Sequence, residues 1–240
     1  MLINLMYHHV NSDSCSNDLE IFEKHIQYIS QNFKTIFPTK DKIEGNNICL
    51  VFDDAYVDFY YLVFPILKKY NIKALLAVPT KYILDFCDNE KDLRMAFEHD
   101  DEFLNYEKGT FCTFEEMIEM IGSGLVQIVS HSHTHTNLLE ENIDLEKELK
   151  LSKKILEDKL NIKVETFVYP YGKFNKQIVE ETHKVYEYSF RIGNAIHKNF
   201  SGINGVNYRI NADGLKTADE IFKFTNIVKY KLKALLKKIG

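Results

Sequence analysis

The sequence has no tryptophan and, among 240 residues, only 4 cysteines, 4 prolines and 10 glycines. The scarcity of proline and glycine excludes a collagenous or low-complexity chain, and a hydrophobic content of 45% excludes intrinsic disorder. Cys15, Cys49, Cys87 and Cys112 lack CxxC spacing, so we interpret them as free thiols rather than metal ligands or a disulfide framework. Without tryptophan, any large aromatic surface must come from the 14 tyrosines and 17 phenylalanines.

The chain also lacks an excess of either charge and any long apolar run. It carries 30 basic against 35 acidic side chains, a formal net charge of −5, which excludes a protein built to coat nucleic acid. No segment approaches the ~18 consecutive apolar residues of a membrane-spanning helix. The first ten residues lack the basic region and cleavage site of a secretory signal, so a cytoplasmic location is expected.

Short apolar runs alternate with amphipathic helical patterns along the chain. The patterns predict strands at 2–6, 48–52, 74–78, 126–129, 164–169 and 188–192, and helices at 19–29, 60–70, 113–122, 144–160 and 176–186. Continuous apolar strands are typical of parallel sheets that are buried on both faces. Because no Pro/Gly-rich linker divides the chain, we predict one α/β domain over residues 1–240, with a parallel sheet or barrel.

Two segments are unusually rich in charge. Residues 80–111 are irregular and acidic, and we interpret them as an insertion on the rim of a barrel. Residues 223–240 interleave lysines with apolar side chains, which is the pattern of a basic amphipathic helix. Packing of this helix on the domain, with its lysines in solvent, is the favoured interpretation, and peripheral contact with an anionic membrane is the alternative.

Two polar clusters directly follow predicted strands, where parallel α/β folds place their active sites. Asp53 and Asp54 follow the strand at 48–52, and buried carboxylates there would need partners. His131 and His135 follow the strand at 126–129 and would share one face of a helical turn. Two histidines and one carboxylate suit zinc or another first-row divalent metal, and the second carboxylate could then take a proton from water. A solvated turn and an ordinary histidine pair are the alternatives.

A third cluster, Tyr169-Pro-Tyr-Gly172, also falls at the end of a predicted strand. Pro170 and Gly172 favour a tight turn that could aim a backbone N–H at a ligand, which would stabilise an oxyanion without a charged side chain. Taken alone, the tetrapeptide is more simply interpreted as a plain turn.

These three clusters, in this order, resemble the motifs of the polysaccharide deacetylases, carbohydrate esterase family 4. Val51-Phe-Asp-Asp-Ala-Tyr56 resembles the TFDDG(Y) motif, His131-Ser-His-Thr-His135 fits HSxxH, and Phe167-Val-Tyr-Pro-Tyr-Gly172 resembles the third motif. Met6-Tyr-His-His-Val10 and Val63-Phe-Pro-Ile-Leu67 are similar to the circularly permuted branch that contains the bacterial poly-β-1,6-N-acetylglucosamine N-deacetylases. The resemblance implies a deformed (β/α) barrel and a metal-dependent amide hydrolase.

The resemblance also implies a role for each motif residue. Asp53 would be the general base, and His8, in the N-terminal Tyr-His, would be the general acid. One divalent ion, zinc by preference over cobalt, nickel or iron, would be held by Asp54, His131 and His135. The backbone N–H of Tyr171, in the turn that begins at Pro170, would stabilise the oxyanion.

Three positions depart from the family pattern. Val51 replaces the usual threonine inside the strand. Ala55 stands where the family has glycine, so a turn with positive φ would be strained by its Cβ. Val168 stands where many members have an arginine that orients the base. Arg209 is the candidate substitute, and a surface or backbone-binding arginine is the favoured alternative for it.

The residues expected to contact the substrate are Tyr56, Pro170 and Arg209. In the absence of tryptophan, Tyr56 and Tyr171 are the nearest candidates for binding a sugar by stacking.

The expected function is removal of N-acetyl groups from an amino-sugar-containing saccharide, with release of acetate. The first alternative is a catalytically impaired, deacetylase-like scaffold, for which Ala55 is the only hint. The second keeps the chemistry but places it on a nucleotide- or lipid-linked sugar or a non-sugar amide. An N-acetylated saccharide, and no nucleic acid, is the expected partner.

Overall fold

The computed structural model describes residues 1–239. In that range the strands are β1 (Leu2–Tyr7), β2 (His9–Val10), β3 (Ser16–Asn17), β4 (Lys34–Thr35), β5 (Asn47–Phe52), β6 (Ala74–Val78), β7 (Val126–Ser130), β8 (Thr166–Val168), β9 (Tyr188–Ile192) and β10 (Asn207–Asn211). The α-helices are α1 (Leu19–Asn32), α2 (Phe64–Tyr70), α3 (Lys91–Arg94), α4 (Phe114–Gly122), α5 (Ser152–Leu160), α6 (Lys176–His183) and α7 (Phe224–Ile239). π-Helical turns at Phe59–Val63 and Glu146–Leu151 run directly into α2 and α5.

Seven parallel strands close into a barrel in the order β1, β10, β9, β8, β7, β6, β5 and back to β1. The closure is made by β1, where Leu5 lies opposite Ile210 of β10 on one side and Leu50 of β5 on the other. Strand β4 pairs with β5 outside this ring, and β2 and β3 form a separate small sheet. The prediction of a single (β/α) barrel is therefore confirmed.

Alternate residues of the barrel strands pack on opposite sides. Side chains of one parity pack beneath the helices, among them Leu50 and Phe52, and those of the other parity form a second cluster with Cys49 and Val51. Both β1 and β5 are buried along their whole length, which explains why their sequences are apolar apart from Asn4 and Asn47. Side chains two residues apart on a strand point to the same side. Asp53, the first polar residue after β5, therefore lies on the same side as Val51, at the mouth of the barrel interior.

The helix boundaries follow local capping signals that are readable in the sequence. The Asp18 side chain accepts hydrogen bonds from the backbone N–H groups of Glu20 and Ile21 and so caps α1. Thr113 and Glu116 form the predicted capping box of α4. Strand β10, Asn207-Tyr-Arg-Ile-Asn, was not predicted, and only two of its five residues, Tyr208 and Ile210, are apolar.

Residues 80–111 connect β6 to α4 and fold against the mouth of the barrel. The Arg94 guanidinium donates hydrogen bonds to the backbone carbonyls of Gly109 and Phe111 and to the Glu116 carboxylate. Arg94, Glu102 and Phe111 are buried, so this segment is part of the packed domain as well as a charged rim.

Helix α7 packs on the domain along a narrow strip. Ala234 is buried and Ile227 and Tyr230 are partly buried, whereas large apolar side chains remain exposed at Phe224, Leu232, Leu235 and Leu236. The sequence analysis expected the helix to pack on the domain with its lysines in solvent. The structure shows that its exposed face carries large apolar side chains as well as lysines. Gly240, the last residue of the predicted basic segment, lies outside the described residues. Among residues 1–239, no helix combines the length and apolar character needed to cross a membrane.

Candidate active site

The candidate catalytic residues come together at the carboxyl-terminal ends of the barrel strands. His8 follows β1, Asp53 and Asp54 follow β5, and Arg209 lies within β10. A single cavity of about 440 Å³ is lined by His8, Asp53, Asp54, Tyr56, His131, His135, Tyr171 and Arg209. Residues that are up to 201 positions apart therefore share one site, which is the position that (β/α) barrels use for catalysis.

Asp54, His131 and His135 converge on one point. Asp54 Oδ1 lies 3.3 Å from His131 Nε2 and 3.0 Å from His135 Nε2. This carboxylate oxygen is buried and has no hydrogen-bond partner among the described residues. Burial alone would raise the pKa of Asp54, but the two imidazoles hold it well below the usual range. An orphaned carboxylate oxygen between two imidazole nitrogens fits a divalent metal ion, and zinc accepts this donor set.

The two histidines are oriented by backbone and side-chain contacts. His131 Nδ1 donates to the carbonyl oxygen of Val168 at 2.8 Å, which turns Nε2 toward Asp54. The connection from His131 to His135 is not the helical turn we predicted. Ser132 and His135 adopt φ of 68° and 51°, and the Ser132 hydroxyl accepts a hydrogen bond from the His135 backbone N–H.

Glu148, which the sequence did not single out, fixes the rest of this connection. It accepts hydrogen bonds from the backbone N–H groups of His133 and Thr134 and from the Thr134 hydroxyl, at 2.8–3.0 Å. His133 itself turns away from the site and pairs with Thr80. Because Glu148 belongs to a helix full of charged residues, its sequence offers no signal that separates it from its solvated neighbours.

Asp53 is held by Arg209 in a buried, bidentate ion pair. The two carboxylate oxygens accept hydrogen bonds from Nη1 and Nη2 of Arg209, the second at 2.7 Å. Asp53 is 4% exposed and Arg209 1% exposed, so this pair is shielded from solvent. Burial would raise the pKa of Asp53, but Arg209, together with His131 and His8, lowers the pKa below the usual range. Arg209 is thus the arginine that pairs with Asp53 in this structure.

His8 lies between Asp53 and a second carboxylate, Asp213. Its Nδ1 is 2.7 Å from Asp213 Oδ2, its backbone N–H donates to Asp213 Oδ1, and its Nε2 is 3.9 Å from Asp53 Oδ2. Burial disfavours the charged imidazolium, but the hydrogen bond to Asp213 and the nearby negative charges prevail and raise the pKa of His8 to about 9. Asp213 was missed by sequence reasoning, because the strand that precedes it, β10, was not predicted.

Several residues at the ends of the strands adopt the left-handed backbone conformation. Asp54, Ala55 and Tyr171 have φ of 68°, 59° and 55°, and such outliers are typical of functional sites. The turn at Tyr171 also requires the glycine that follows, because Gly172 has φ of 61° and a Cβ there would lie 2.8 Å from the Ile192 side chain.

Ala55 provides a direct test of this backbone strain. Replacing Ala55 with glycine is expected to change the free energy of unfolding by less than about 1 kcal/mol, because relief of the left-handed strain is offset by lost methyl burial and added chain entropy. Ala55→Val should destabilise the protein by at least about 2 kcal/mol, since a branched side chain tolerates neither this φ nor the closed packing. Urea unfolding measures both, and equal stability of the two variants would contradict the strain.

The residues predicted to contact or stack on the substrate differ in what the structure leaves available. Arg209 lines the cavity, but it is 1% exposed and paired with Asp53. Tyr56 is 1% exposed, and its ring stacks on His9 at 3.9 Å and on Phe111. The prediction that this ring stacks on a sugar is therefore wrong. Its hydroxyl has no hydrogen-bond partner among the described residues. Tyr171 is 62% exposed, lines the cavity, and its ring lies 4.9 Å from that of His135. Pro170 is buried and shapes the turn without lining the cavity.

The fold and the site together define a parallel (β/α) barrel with an Asp–His–His triad, a buried Asp–Arg pair and an Asp–His pair at one mouth. A family model described as polysaccharide deacetylase matches residues 40–188, which is more than half of the chain. The chain therefore belongs to the polysaccharide deacetylase family, whose members are hydrolases. The matched range contains Asp54, His131 and His135 but neither His8 nor Arg209.

Relatives and solved structures are consistent with this assignment. A Bacillus subtilis protein described as belonging to the polysaccharide deacetylases is 27% identical over 194 residues, covering 75% of this chain and 60% of the relative. The poly-β-1,6-N-acetyl-D-glucosamine N-deacetylase of Escherichia coli K12 is 26% identical over 166 residues, covering 58% and 24%. The chain thus spans less than two thirds of the length of these relatives.

Two solved structures share the fold. The deacetylase PplD of Streptococcus pyogenes superposes with a TM-score of 0.71 at 21% identity, covering 95% of this chain and 97% of that one. IcaB of Ammonifex degensii gives a TM-score of 0.72 at 18% identity, covering 99% and 97%. At these identities the superpositions establish the barrel fold.

Proposed function

We propose that this protein is a metal-dependent hydrolase that removes N-acetyl groups from an amino-sugar-containing saccharide and releases acetate. The observation that carries the proposal is the convergence of three units on one cavity: the triad around Asp54, the Asp53–Arg209 pair, and His8, which is paired with Asp213 outside the cavity lining. The family membership, and the activity named for the Escherichia coli relative, support an N-acetylated sugar as the substrate class.

Asp54, His131 and His135 would hold the metal ion, and zinc is the best fit to two imidazoles and one carboxylate. A divalent ion bound there would supply Lewis-acid polarisation and lower the pKa of water.

Each remaining group has a separate task in amide hydrolysis. Asp53, kept ionised and oriented by Arg209, takes the proton from the attacking water as general base. The Tyr171 backbone N–H donates a hydrogen bond to the developing oxyanion. His8, kept protonated by Asp213, gives its proton from Nε2 to the departing amine. Tyr171 also offers an exposed ring on which a sugar can stack.

An acetate-release screen tests this proposal directly. Chelator-stripped and zinc-reconstituted protein should be assayed on N-acetylated monosaccharides, nucleotide- and lipid-linked sugars, polymers and a generic acetyl ester. We expect acetate release from at least one saccharide only after zinc is restored, and none from the His131→Ala variant. A folded, zinc-loaded protein that releases no acetate from any of them would contradict the proposal and favour the impaired-scaffold alternative.

The pH profile should report the His8–Asp213 pair. A general acid must be protonated, so activity is expected to fall as pH rises through the His8 pKa of about 9. In Asp213→Asn, the His8 imidazolium loses both its hydrogen bond to a carboxylate and the negative charge of Asp213. Burial still disfavours the charged form of His8. The alkaline limb of kcat against pH should therefore move toward the ordinary histidine pKa of 6.5.

The matched control for this measurement is Asp219→Asn, which removes a carboxylate outside the cavity. This variant should retain the wild-type alkaline limb. If Asp213→Asn also retained it, His8 would not be the acid whose titration limits the reaction.

A further inference from the structure

A second cluster of ligating side chains lies beside the catalytic cavity and takes no part in the proposed reaction. His9, His99 and Glu102 each offer one ligand atom, and these atoms lie within 4.8 Å of one another. His9 Nε2 is 3.1 Å from Glu102 Oε2 and 3.1 Å from His99 Nδ1. Both neighbours face the same imidazole nitrogen, which has at most one proton to donate.

The spacing of these atoms is that of ligands around a small divalent cation. Zinc–nitrogen and zinc–oxygen bonds of ~2.0–2.1 Å in tetrahedral geometry place neighbouring ligand atoms roughly 3.3 Å apart. The triad around Asp54 shows ligand separations of 3.3 and 3.0 Å. The second cluster thus repeats the donor types of the first, two imidazoles and one carboxylate, at matching distances.

Two buried carboxylate oxygens in this cluster have no hydrogen-bond partner. Glu102 is 5% exposed and Asp58 6% exposed, and Glu102 Oε2 and Asp58 Oδ1 are both unpaired among residues 1–239. Buried carboxylates without partners are costly. His9 lies within ion-pair distance of both oxygens, 3.1 Å from Glu102 Oε2 and 3.4 Å from Asp58 Oδ1, and a divalent cation beside His9 would give the Glu102 oxygen a direct partner.

Asp58 supports the orientation that a ligating His9 needs. Asp58 Oδ1 lies 3.4 Å from His9 Nδ1, and Asp58 Oδ2 accepts a hydrogen bond from the Val10 backbone N–H at 2.6 Å. A carboxylate behind the second ring nitrogen is a recurrent partner of metal-bound histidine. A cavity of about 220 Å³ lined by His9, Asp58 and Glu102 leaves room for water as a further ligand.

We propose that His9, His99 and Glu102 bind a second divalent cation, zinc by preference, that fastens residues 80–111 to the edge of the catalytic cavity. His9 lies in β2, whereas His99 and Glu102 lie in the 80–111 segment, so the ion would cross-link two parts of the chain that are 90 residues apart. His99 lines the catalytic cavity, and Phe103, next to Glu102, stacks on His135 at 4.8 Å. The second ion would thereby hold one wall of the active site.

Metal stoichiometry tests this site independently of turnover. Chelator-stripped full-length protein should be titrated with Zn²⁺ alone by calorimetry, and with Co²⁺ by visible absorption. We expect the wild type to bind two zinc ions tightly per chain. His99→Ala, the isosteric Glu102→Gln and His131→Ala should each bind one. The exposed helix histidine variant His183→Ala is the matched control and should keep two.

Circular dichroism of each variant shows whether its barrel is intact, and Glu102→Gln preserves the shape of the buried side chain. A single tight equivalent in the wild type would overturn the proposal, as would two equivalents retained in both His99→Ala and Glu102→Gln. Because His131→Ala removes the other ion, loss of the catalytic metal would not be mistaken for loss of the second one.

Discussion

Replacing Asp53 with asparagine is expected to lower kcat for acetate release about 10³-fold while metal binding is retained. General-base catalysis contributes roughly 10²–10⁴-fold, and the amide of asparagine cannot take a proton from water. Asp53 is not one of the three converging ligand residues, so zinc stoichiometry should be unchanged. Initial rates with zinc-reconstituted protein, together with metal analysis of the same sample, make the measurement.

The control for this variant is Asp158→Asn, which removes an equivalent carboxylate from the exposed surface of α5, where it pairs with Lys154. Its rate should equal that of the wild type. Wild-type turnover in the Asp53→Asn variant would contradict the role of Asp53 as general base. If the variant instead lost its metal ion, Asp53 would have to be a ligand of that ion in addition to Asp54.

Replacing Arg209 with methionine is expected to destabilise the protein by about 3–5 kcal/mol, because it leaves the buried carboxylate of Asp53 without its counter-charge. In the wild type, the lowered pKa of Asp53 contributes stability that is lost as pH falls through that pKa. In Arg209→Met, burial raises the pKa of Asp53 instead. The difference in free energy of unfolding between the wild type and the variant should therefore become smaller as pH falls and the Asp53 carboxyl becomes neutral. Urea unfolding at several pH values measures both effects.

A double-variant cycle separates the ion pair from the general cost of changing a buried residue. Arg209→Met combined with Asp53→Asn leaves no unpaired charge, so it should be more stable than Arg209→Met alone. The exposed pair of Lys154 and Asp158 provides the matched comparison, and Lys154→Met should leave stability nearly unchanged. Equal stability of Arg209→Met and the double variant would show that the unpaired charge is not the source of the loss.

Local patterns in the sequence were sufficient for much of the fold and for the centre of the site. Short, mainly apolar runs predicted β1, β5, β6, β7 and β9. Asp18 and Thr113 marked the starts of α1 and α4. The pairing of a carboxylate with His131 and His135 followed from their places after strands, because parallel strands bring their carboxyl ends to one edge. The resemblance to a known family was needed to separate Asp53 from Asp54 and to bring His8 into the site.

Contacts between distant parts of the chain were decided only by closure of the barrel. Asp53 and Arg209 are 156 residues apart, and His8 and Asp213 are 205 apart. Strand β1 pairs with β5 on one side and β10 on the other, and this places both pairs at the same mouth. The role of Asp213 could not be read from residue type alone, since an aspartate after a strand is equally typical of a solvated turn.

The sequence by itself determined an α/β chain without an excess of basic residues or a long apolar run. It also determined the order of three motifs, which contain Asp54, His135 and Gly172 respectively. Those properties depend on composition and on neighbours within a few residues. The tertiary structure decided which side chains face the cavity, and it removed the ring of Tyr56 from the candidates for sugar stacking because His9 and Phe111 cover it. It also brought His9, His99 and Glu102 together, because the fold of residues 80–111 over the barrel mouth depends on packing that no local pattern records.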